Sequence, residues 1–169
     1  MEKEQRIFTC ESGYIELNGI ALSLSPEQFQ RRFAERGFTT LDDKGDPVVI
    51  KGKIDGLGIC FLKIFGGKGS MKDSIGLVIV STEHKYSEDE MMAVFEQVKE
   101  ELPGSPLYDD GGYGVLPKPH EIRHFWDFKQ GYVTINWDGG PDGDGCDNIT
   151  FWLRKPIVKD EAYWRSEVD

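Results

Sequence analysis

Two helix starts organise this chain, and a run of strand signals follows each of them. The first start is the segment Ser25-Pro26-Glu27-Gln28, and the second is Ser87-Glu88-Asp89-Glu90. In each segment a Ser can accept a hydrogen bond from a backbone N–H while the Gln or Glu three residues later reaches back, which is the pattern of a capping box. The sequence therefore predicts one plan used twice, a helix followed by antiparallel strands.

The first half of the chain has clear turn and helix-end residues around its predicted helix. Asn18-Gly19 predicts a short hairpin over residues 14–22, because both of these residue types tolerate a positive φ. Phe29 and Phe33 lie four residues apart and share one face of the helix. Gly37 is the residue type expected just past a helix C-terminus, so the helix is predicted to end there.

The second half begins with a helix predicted over residues 88–102, which carries a narrow apolar stripe and stops at Pro103-Gly104. Strands are predicted wherever short runs alternate in polarity or are rich in β-branched residues. These runs occupy residues 48–54, 57–65, 75–82, 123–129, 132–137 and 149–154. Turn-length loops join several of them, which favours antiparallel pairing over parallel crossovers.

Together these elements predict an α+β fold, with a curved antiparallel sheet and both helices packed on one face of it. The 169 residues suffice for one sizeable core, so a single domain over 1–169 is expected. The repeat is one of layout, over residues 14–82 and 87–154, and a polar tail follows at 155–169.

Composition and charge limit the class of partner and the compartment. The chain has 30 Asp and Glu against 20 Lys and Arg, a formal net charge of -10, so neither nucleic acid nor a membrane is expected as a partner. The charged N-terminus leads into no apolar run of the signal-peptide type. Cys10, Cys60 and Cys146 are too few and too scattered for a disulfide scaffold. We therefore expect a cytoplasmic protein, unless an export signal precedes Met1.

Two glycine-rich segments resemble ligand-binding loops in composition but not in pattern. The acidic segment 138–147, read as a calcium loop from Asp142, places Cys146 and Asp147 where the template needs an acidic or amide side chain and a Gly. We interpret it as a polar connection between strands, with weak divalent binding as the alternative. The run 66–70 lacks the following helix that a phosphate loop requires. The sequence thus predicts no metal site and no cofactor.

A long, proline-rich connection over residues 103–121 allows a small enzyme as an alternative interpretation, since connections of this length are often functional. In that interpretation His120 or His124 forms an acid–base pair with Asp127 beneath the connection. The residues around these groups show no nucleophile or base motif, and a structural or surface role explains both histidines better. We therefore assign no catalytic residue and expect that the protein is not an enzyme.

Aromatic residues are concentrated in the last third of the chain and suggest a binding surface. On strand alternation, Tyr132 and Asn136 point away from the predicted core, and Trp152 does the same on the last strand. Tyr and Trp are residue types that anchor interfaces. We predict a non-catalytic module that binds a protein or peptide through the open sheet face or through the 103–121 connection. The competing interpretation is ordinary amphipathic surface, or a face that the 103–121 connection covers.

Several stretches also carry a family resemblance: Asn18-Gly19-Ile20, residues 27–29 and 35–38 of the first helix region, and residues 50–56. Together they resemble a group of small uncharacterised proteins from gut-dwelling Bacteroidetes. The structures of that group have been likened to the β-lactamase-inhibitor protein, whose fold repeats a helical segment followed by an antiparallel sheet. The resemblance implies a binding surface on the sheet, and it implies no catalytic or inhibitory residue. A single helix in each half departs from the inhibitor's helical pair.

Overall fold

The computed structural model describes residues 6–45, 47–66, 73–104, 107–108, 121–128, 131–139 and 148–154. Within these ranges the chain forms two helices, α1 (Pro26–Ala34) and α2 (Glu88–Glu101), and two antiparallel sheets. Among the described residues, no helix has the length and apolar character needed to cross a membrane. The predicted segments 109–120, 67–70, 140–147 and 155–169 lie outside the described residues.

The strands belong to a small sheet near the N-terminus and a large sheet. The small sheet contains β1 (Phe8–Thr9), β2 (Glu16–Leu17) and β3 (Ile20–Ala21). The large sheet contains β4 (Thr39–Asp42), β5 (Val48–Ile54), β6 (Gly58–Gly66), β7 (Ile75–Thr82), β8 (Leu107–Tyr108), β9 (Glu121–Phe128), β10 (Gly131–Asp138) and β11 (Thr150–Arg154). Its strand order is β4-β5-β6-β7-β11-β10-β9-β8, and every neighbouring pair is antiparallel.

The order of the elements repeats about the middle of the large sheet. Helix α1 precedes β4 to β7, helix α2 precedes β8 to β11, and the last strands of the two halves, β7 and β11, pair with each other. The predicted α+β class with an antiparallel sheet is confirmed. The prediction of three strands after each helix was incomplete, because β4 and β8 add an edge strand at each side. Strand β4 is exposed at every position, so it has no buried alternation to reveal it.

Both helices begin at the predicted capping boxes. The Oγ of Ser25 accepts from the backbone N–H of Gln28 at 3.2 Å, and the N–H of Ser25 donates to the Gln28 side chain at 3.2 Å. Ser87 and Glu90 make the same reciprocal pair at 3.1 and 3.2 Å. Each box satisfies backbone donors that the first helical turn leaves without partners, which fixes where the helix starts.

Helix α1 ends at Ala34, and the turn that follows it closes at Gly37, the residue type that the sequence predicts just past the helix. Gly37 has a φ of 90°, a conformation that favours glycine, and its N–H donates to the carbonyl of Ala34 at 3.0 Å. The N–H of Phe38 donates back to the carbonyl of Phe33 at 3.2 Å, and the two rings lie 4.8 Å apart. This is a Schellman motif with its hydrophobic contact, and it turns the chain sharply towards β4.

One face of the large sheet forms the core, and we call it the core face. The register places five buried side chains next to one another across five neighbouring strands: Ile50, Leu62, Val80, Phe151 and Ile135. Burial of such side chains is the main source of stability in a fold of this kind.

Both helices and the small sheet pack on the core face. Phe95 of α2 lies 6.0 Å from the Trp126 ring, and Phe8 of β1 meets Phe151 edge-on at 5.3 Å. Phe38, directly after α1, lies so close over Gly52 that any side chain there would collide with its ring. The predicted packing of both helices on one face is confirmed, and the small sheet shares that face with them.

The predicted N-terminal hairpin is present as β2 and β3. Asn18 and Gly19 form its turn with positive φ angles of 49° and 81°. The Oδ1 of Asn18 also accepts from the backbone N–H of Asp55 at 2.7 Å, which ties the hairpin to the turn after β5. Strand β1, which the sequence analysis did not predict, pairs with β2, and the Glu101 carboxylate at the end of α2 accepts from the N–H of Phe8 at 2.9 Å.

Candidate functional site

The candidate site is the face of the large sheet opposite the core face, and we call it the open face. Strand alternation places Tyr132, Thr134 and Asn136 of β10 on it, because Val133, Ile135 and Trp137 between and beside them are buried in the core. Trp152 is paired with Thr134 across β10 and β11 and therefore shares this face. The structure thus brings the three sequence-predicted residues, Tyr132, Asn136 and Trp152, onto one surface.

A row of side chains crosses the open face at the level of Trp152. Cross-strand pairing joins the residues Lys63, Ile79, Trp152, Thr134 and Phe125 in that order. Neighbouring strands are spaced by about 4.8 Å, so the row extends for about 19 Å. Trp152 is 40% exposed, whereas Ile79 and Phe125 are only partly exposed. The row is therefore a broad, shallow surface with one prominent aromatic side chain.

Tyr132 is held by an aromatic neighbour. Its ring stacks on that of Phe125 with the centroids 5.8 Å apart and an angle of 23° between the planes. Stacking of this kind orients the ring and lowers the conformational freedom that it loses when another molecule binds. Tyr132 therefore supports the open face as part of an aromatic pair, and Trp152 is the more exposed of the two predicted anchors.

Asn136 lies between Arg123 of β9 and Thr150 of β11 in the strand register. Its side-chain oxygen is buried and has no hydrogen-bond partner among the described residues. A buried acceptor without a donor reduces stability, so a donor from a bound molecule that reached this atom would gain a favourable interaction. Asn136 is the polar member of the predicted set, and Tyr132 and Trp152 are the aromatic members.

The open face extends beyond the last third of the chain to residues that the sequence analysis did not select. Phe61 lies beneath Lys51, whose Nζ is 5.0 Å from the centre of the ring, a cation–π contact. Alternation within β6 and β7 could have indicated that the side chains of Phe61, Lys63 and Ile79 point away from the core. The pairing of β7 with β11, which brings these residues beside Trp152, joins distant parts of the sequence and leaves no local signal.

Of the histidine–carboxylate alternative, His124 is the member whose side chain the structure describes. His124 lies on the core face, with its ring 4.6 Å from that of Phe95, and burial together with the charge of Lys99 lowers its pKa. Asp127 is paired with Tyr132 in the backbone register of β9 and β10. His120 lies outside the described residues.

A polar cluster on the core face has the wrong chemistry for nucleophilic catalysis. Burial raises the pKa of the Cys60 thiol to about 12, so the thiol stays protonated near neutral pH. Burial also raises the pKa of Tyr86, with smaller effects from Cys60 and Glu90, and its hydroxyl donates to the carbonyl of Leu57 at 2.8 Å. These groups act as core members that hold the fold.

No group of three or more His, Cys, Asp or Glu residues that could hold a metal ion occurs in the described part of the chain. The open face offers apolar contact, aromatic stacking and charge. Comparisons with protein-family models, with curated proteins and with solved structures found no match for this chain.

Proposed function

We propose that this protein is a non-catalytic module that binds a protein or peptide through the open face of its large sheet. One observation supports this most directly: the helices and the small sheet cover the core face, while the other face presents Trp152 at 40% exposure beside the partly exposed apolar residue Ile79. Clusters of exposed apolar and aromatic side chains on a folded protein are typical of interaction sites.

The dimensions of the open face suit a macromolecular partner. A row about 19 Å long, spread over five strands, matches the breadth of a standard protein interface better than the concave site of a small ligand. Trp152 is a candidate anchor because Trp is enriched among the residues that dominate binding energy. Tyr132 supplies a second aromatic surface already oriented by Phe125.

The resemblance to the Bacteroidetes family with an inhibitor-like fold stays part of this proposal. A fold of that kind implies a binding surface on its sheet, which is where we place the interaction. We also propose the cytoplasm as the compartment. The two cysteines in the described part, Cys10 and Cys60, are free thiols, which suits a reducing environment.

The test compares two exposed apolar side chains on opposite sides of the molecule. Peptides are selected from a random display library against the immobilised wild-type protein, and their affinity is measured for wild type, Trp152→Ala and Met92→Ala. Met92 is 39% exposed on α2, so it matches Trp152 in exposure but not in position. We expect Trp152→Ala to weaken binding about tenfold or more, since loss of an anchor costs about 2 kcal/mol, and Met92→Ala to leave the affinity unchanged.

Thermal unfolding of the same variants separates binding from folding. Both side chains are well exposed, so each substitution is expected to lower the melting temperature by only a few degrees. Equal binding by wild type and Trp152→Ala would remove the open face from the proposal. A large loss of stability in Trp152→Ala would show instead that the Trp belongs to the packed structure.

A further inference from the structure

Charge is distributed unevenly over the large sheet. The strands β5, β6, β7 and β11 contain four charged residues, all of them basic: Lys51, Lys53, Lys63 and Arg154. This stands out in a chain with 30 acidic and 20 basic residues. The part of the sheet formed by these four strands is therefore locally basic, in contrast to the protein as a whole.

Alternation and register place all four basic side chains on the open face. Lys51 pairs with Phe61, Lys53 with Ile59 and Lys63 with Ile79, and none of these residues belongs to the core. Arg154 pairs with Tyr132. We call this surface the basic sector, which consists of Lys51, Lys53, Lys63 and Arg154 with the apolar side chains Ile59, Phe61, Ile79 and Trp152.

Cations and apolar groups alternate closely within the basic sector. Lys63 and Trp152 flank Ile79 in one cross-strand row, so a charge and the candidate anchor lie about 10 Å apart. Lys51 lies over the Phe61 ring, and its Nζ is 3.2 Å from the carboxylate of Glu83. Glu83 lies at one end of the sector. Lys53 and Lys63 are exposed, and both are available to an approaching anion.

On this basis we infer that the open face binds an acidic protein segment, whose carboxylates meet Lys53 and Lys63 while its apolar side chains pack on Trp152 and Ile79. The inference rests on the proposed function and specifies its partner by charge. At physiological ionic strength charges are screened beyond about 8 Å, so the local lysines outweigh the distant acidic surface for a bound segment. Complementary charge then selects the partner and speeds its association.

An acidic peptide fits this surface better than a nucleic acid does. A nucleic acid gains most of its affinity from dense contacts between cations and phosphates and from bases stacked on aromatic rings. In the basic sector Ile59 lies beside Lys53 and Ile79 lies beside Lys63 as their cross-strand partners, and these aliphatic side chains suit the apolar side chains of a peptide. The net charge of -10 further opposes a long polyanion.

The experiment reverses charge inside and outside the sector. The double variant Lys53→Glu with Lys63→Glu is compared with Lys44→Glu with Lys85→Glu, whose two lysines are also exposed but lie outside the four strands. Both double variants change the net charge equally. Peptides are selected on wild type from the random display library, and their affinities for each variant are measured at low and physiological salt, with a short oligothymidylate as a competing anion.

We expect the selected peptides to be rich in Asp and Glu beside aromatic or aliphatic residues. Their affinity should fall about tenfold or more in the sector variant, stay within about twofold in the control variant, and decrease with salt. Peptides that depend on Trp152 but show no acidic bias, or no loss in the sector variant, would overturn this inference and leave the proposed function standing. Failure to select any peptide that depends on Trp152 would overturn both. Oligothymidylate binding as tight as that of the best peptide would assign the sector to nucleic acid instead.

Discussion

At the scale of single residues, the face on which alternation places a side chain decides its chemistry. His124 and Phe125 are neighbours in sequence, yet His124 packs against Phe95 on the core face and Phe125 stacks on Tyr132 on the open face. Burial on the core face, with the nearby charge of Lys99, disfavours the protonated imidazole. His124, a candidate acid–base group in the sequence, is therefore a half-buried residue of the core face whose pKa is lowered.

This environment predicts a contribution of His124 to the pH dependence of stability. The pKa of His124 is lower in the folded protein than its value of 6.5 in an unfolded chain, so the unfolded state binds more protons as the pH falls through that value. Stability should therefore decrease below about pH 6.5. The variant His124→Phe keeps an aromatic ring against Phe95. We expect its melting temperature to fall less than that of wild type when the pH is lowered from about 7.5 to about 5.5.

The variant Lys99→Gln provides the matched comparison for this prediction. It removes the nearby charge but leaves His124 half-buried, and this burial is the larger of the two causes of the lowered pKa. Its pH dependence should therefore lie between those of wild type and His124→Phe. Thermal unfolding followed by circular dichroism across this range measures all three proteins. Parallel curves for wild type and His124→Phe would show that other groups control stability in this range.

At the scale of elements, local signals were sufficient for some parts of the fold and absent for others. Both helices were predictable because a capping box and a glycine stop act over a few residues, as the contacts of Ser25 and Gly37 show. The edge strands β4 and β8 were not predictable, since β4 is exposed at every position and β8 has only two residues. Strand β1 is as short as β8, and it forms by pairing with β2.

The same distinction applies to the candidate site. Alternation within single strands was enough to place Tyr132, Asn136 and Trp152 on one face. The neighbours of Trp152 were not predictable. Ile79 lies beside Trp152 because β7 pairs with β11, and Lys63 is next in the row because it pairs with Ile79 across β6 and β7. A sequence pattern indicates which side a residue faces, but only the strand order shows which residues lie beside it.

The capping interaction of α1 leads to a prediction for the whole helix. Ser25→Ala removes the acceptor for the Gln28 N–H and should cost about 1 kcal/mol, or about 3 °C of melting temperature for a chain of this size. Ser23, two residues earlier, is exposed and lies outside the helix, so Ser23→Ala is the control. Chemical denaturation of both variants gives the comparison, and equal stability of the two would show that the capping box contributes little here.

At the scale of the whole molecule, the two halves meet along β7 and β11 and are joined by polar contacts beside that pair. The buried hydroxyl of Thr82 accepts from the N–H of Ile149 at 2.9 Å and donates to the carbonyl of His84 at 3.1 Å. The amide of Asn148 donates to the carbonyl of Thr82 at 2.7 Å, and the indole of Trp137 donates to that of Tyr86 at 3.1 Å. These contacts link the two halves, and we predict that the halves unfold as one cooperative unit.

The coupling between the halves predicts a large loss of stability when the hydroxyl group of Thr82 is replaced. Thr82→Val keeps the shape of the side chain but leaves the buried N–H of Ile149 without its acceptor, which should cost about 1–3 kcal/mol. Thr40→Val is the control, because Thr40 accepts from the Gln30 side chain at 3.2 Å on an exposed edge strand and its loss should cost little. Urea unfolding measures both variants.

Two probes of the same unfolding test whether the halves remain coupled. All four tryptophans lie after residue 87, so their fluorescence reports on the second half, whereas far-ultraviolet circular dichroism reports on both. Because β7 and β11 share one continuous sheet and one core, the two transitions of Thr82→Val should coincide at a lower urea concentration than in wild type. Separate transitions for the two probes would show that each helix-and-strand half folds by itself. A loss of stability in Thr82→Val no larger than that in Thr40→Val would show that the Thr82 contact does not couple the halves.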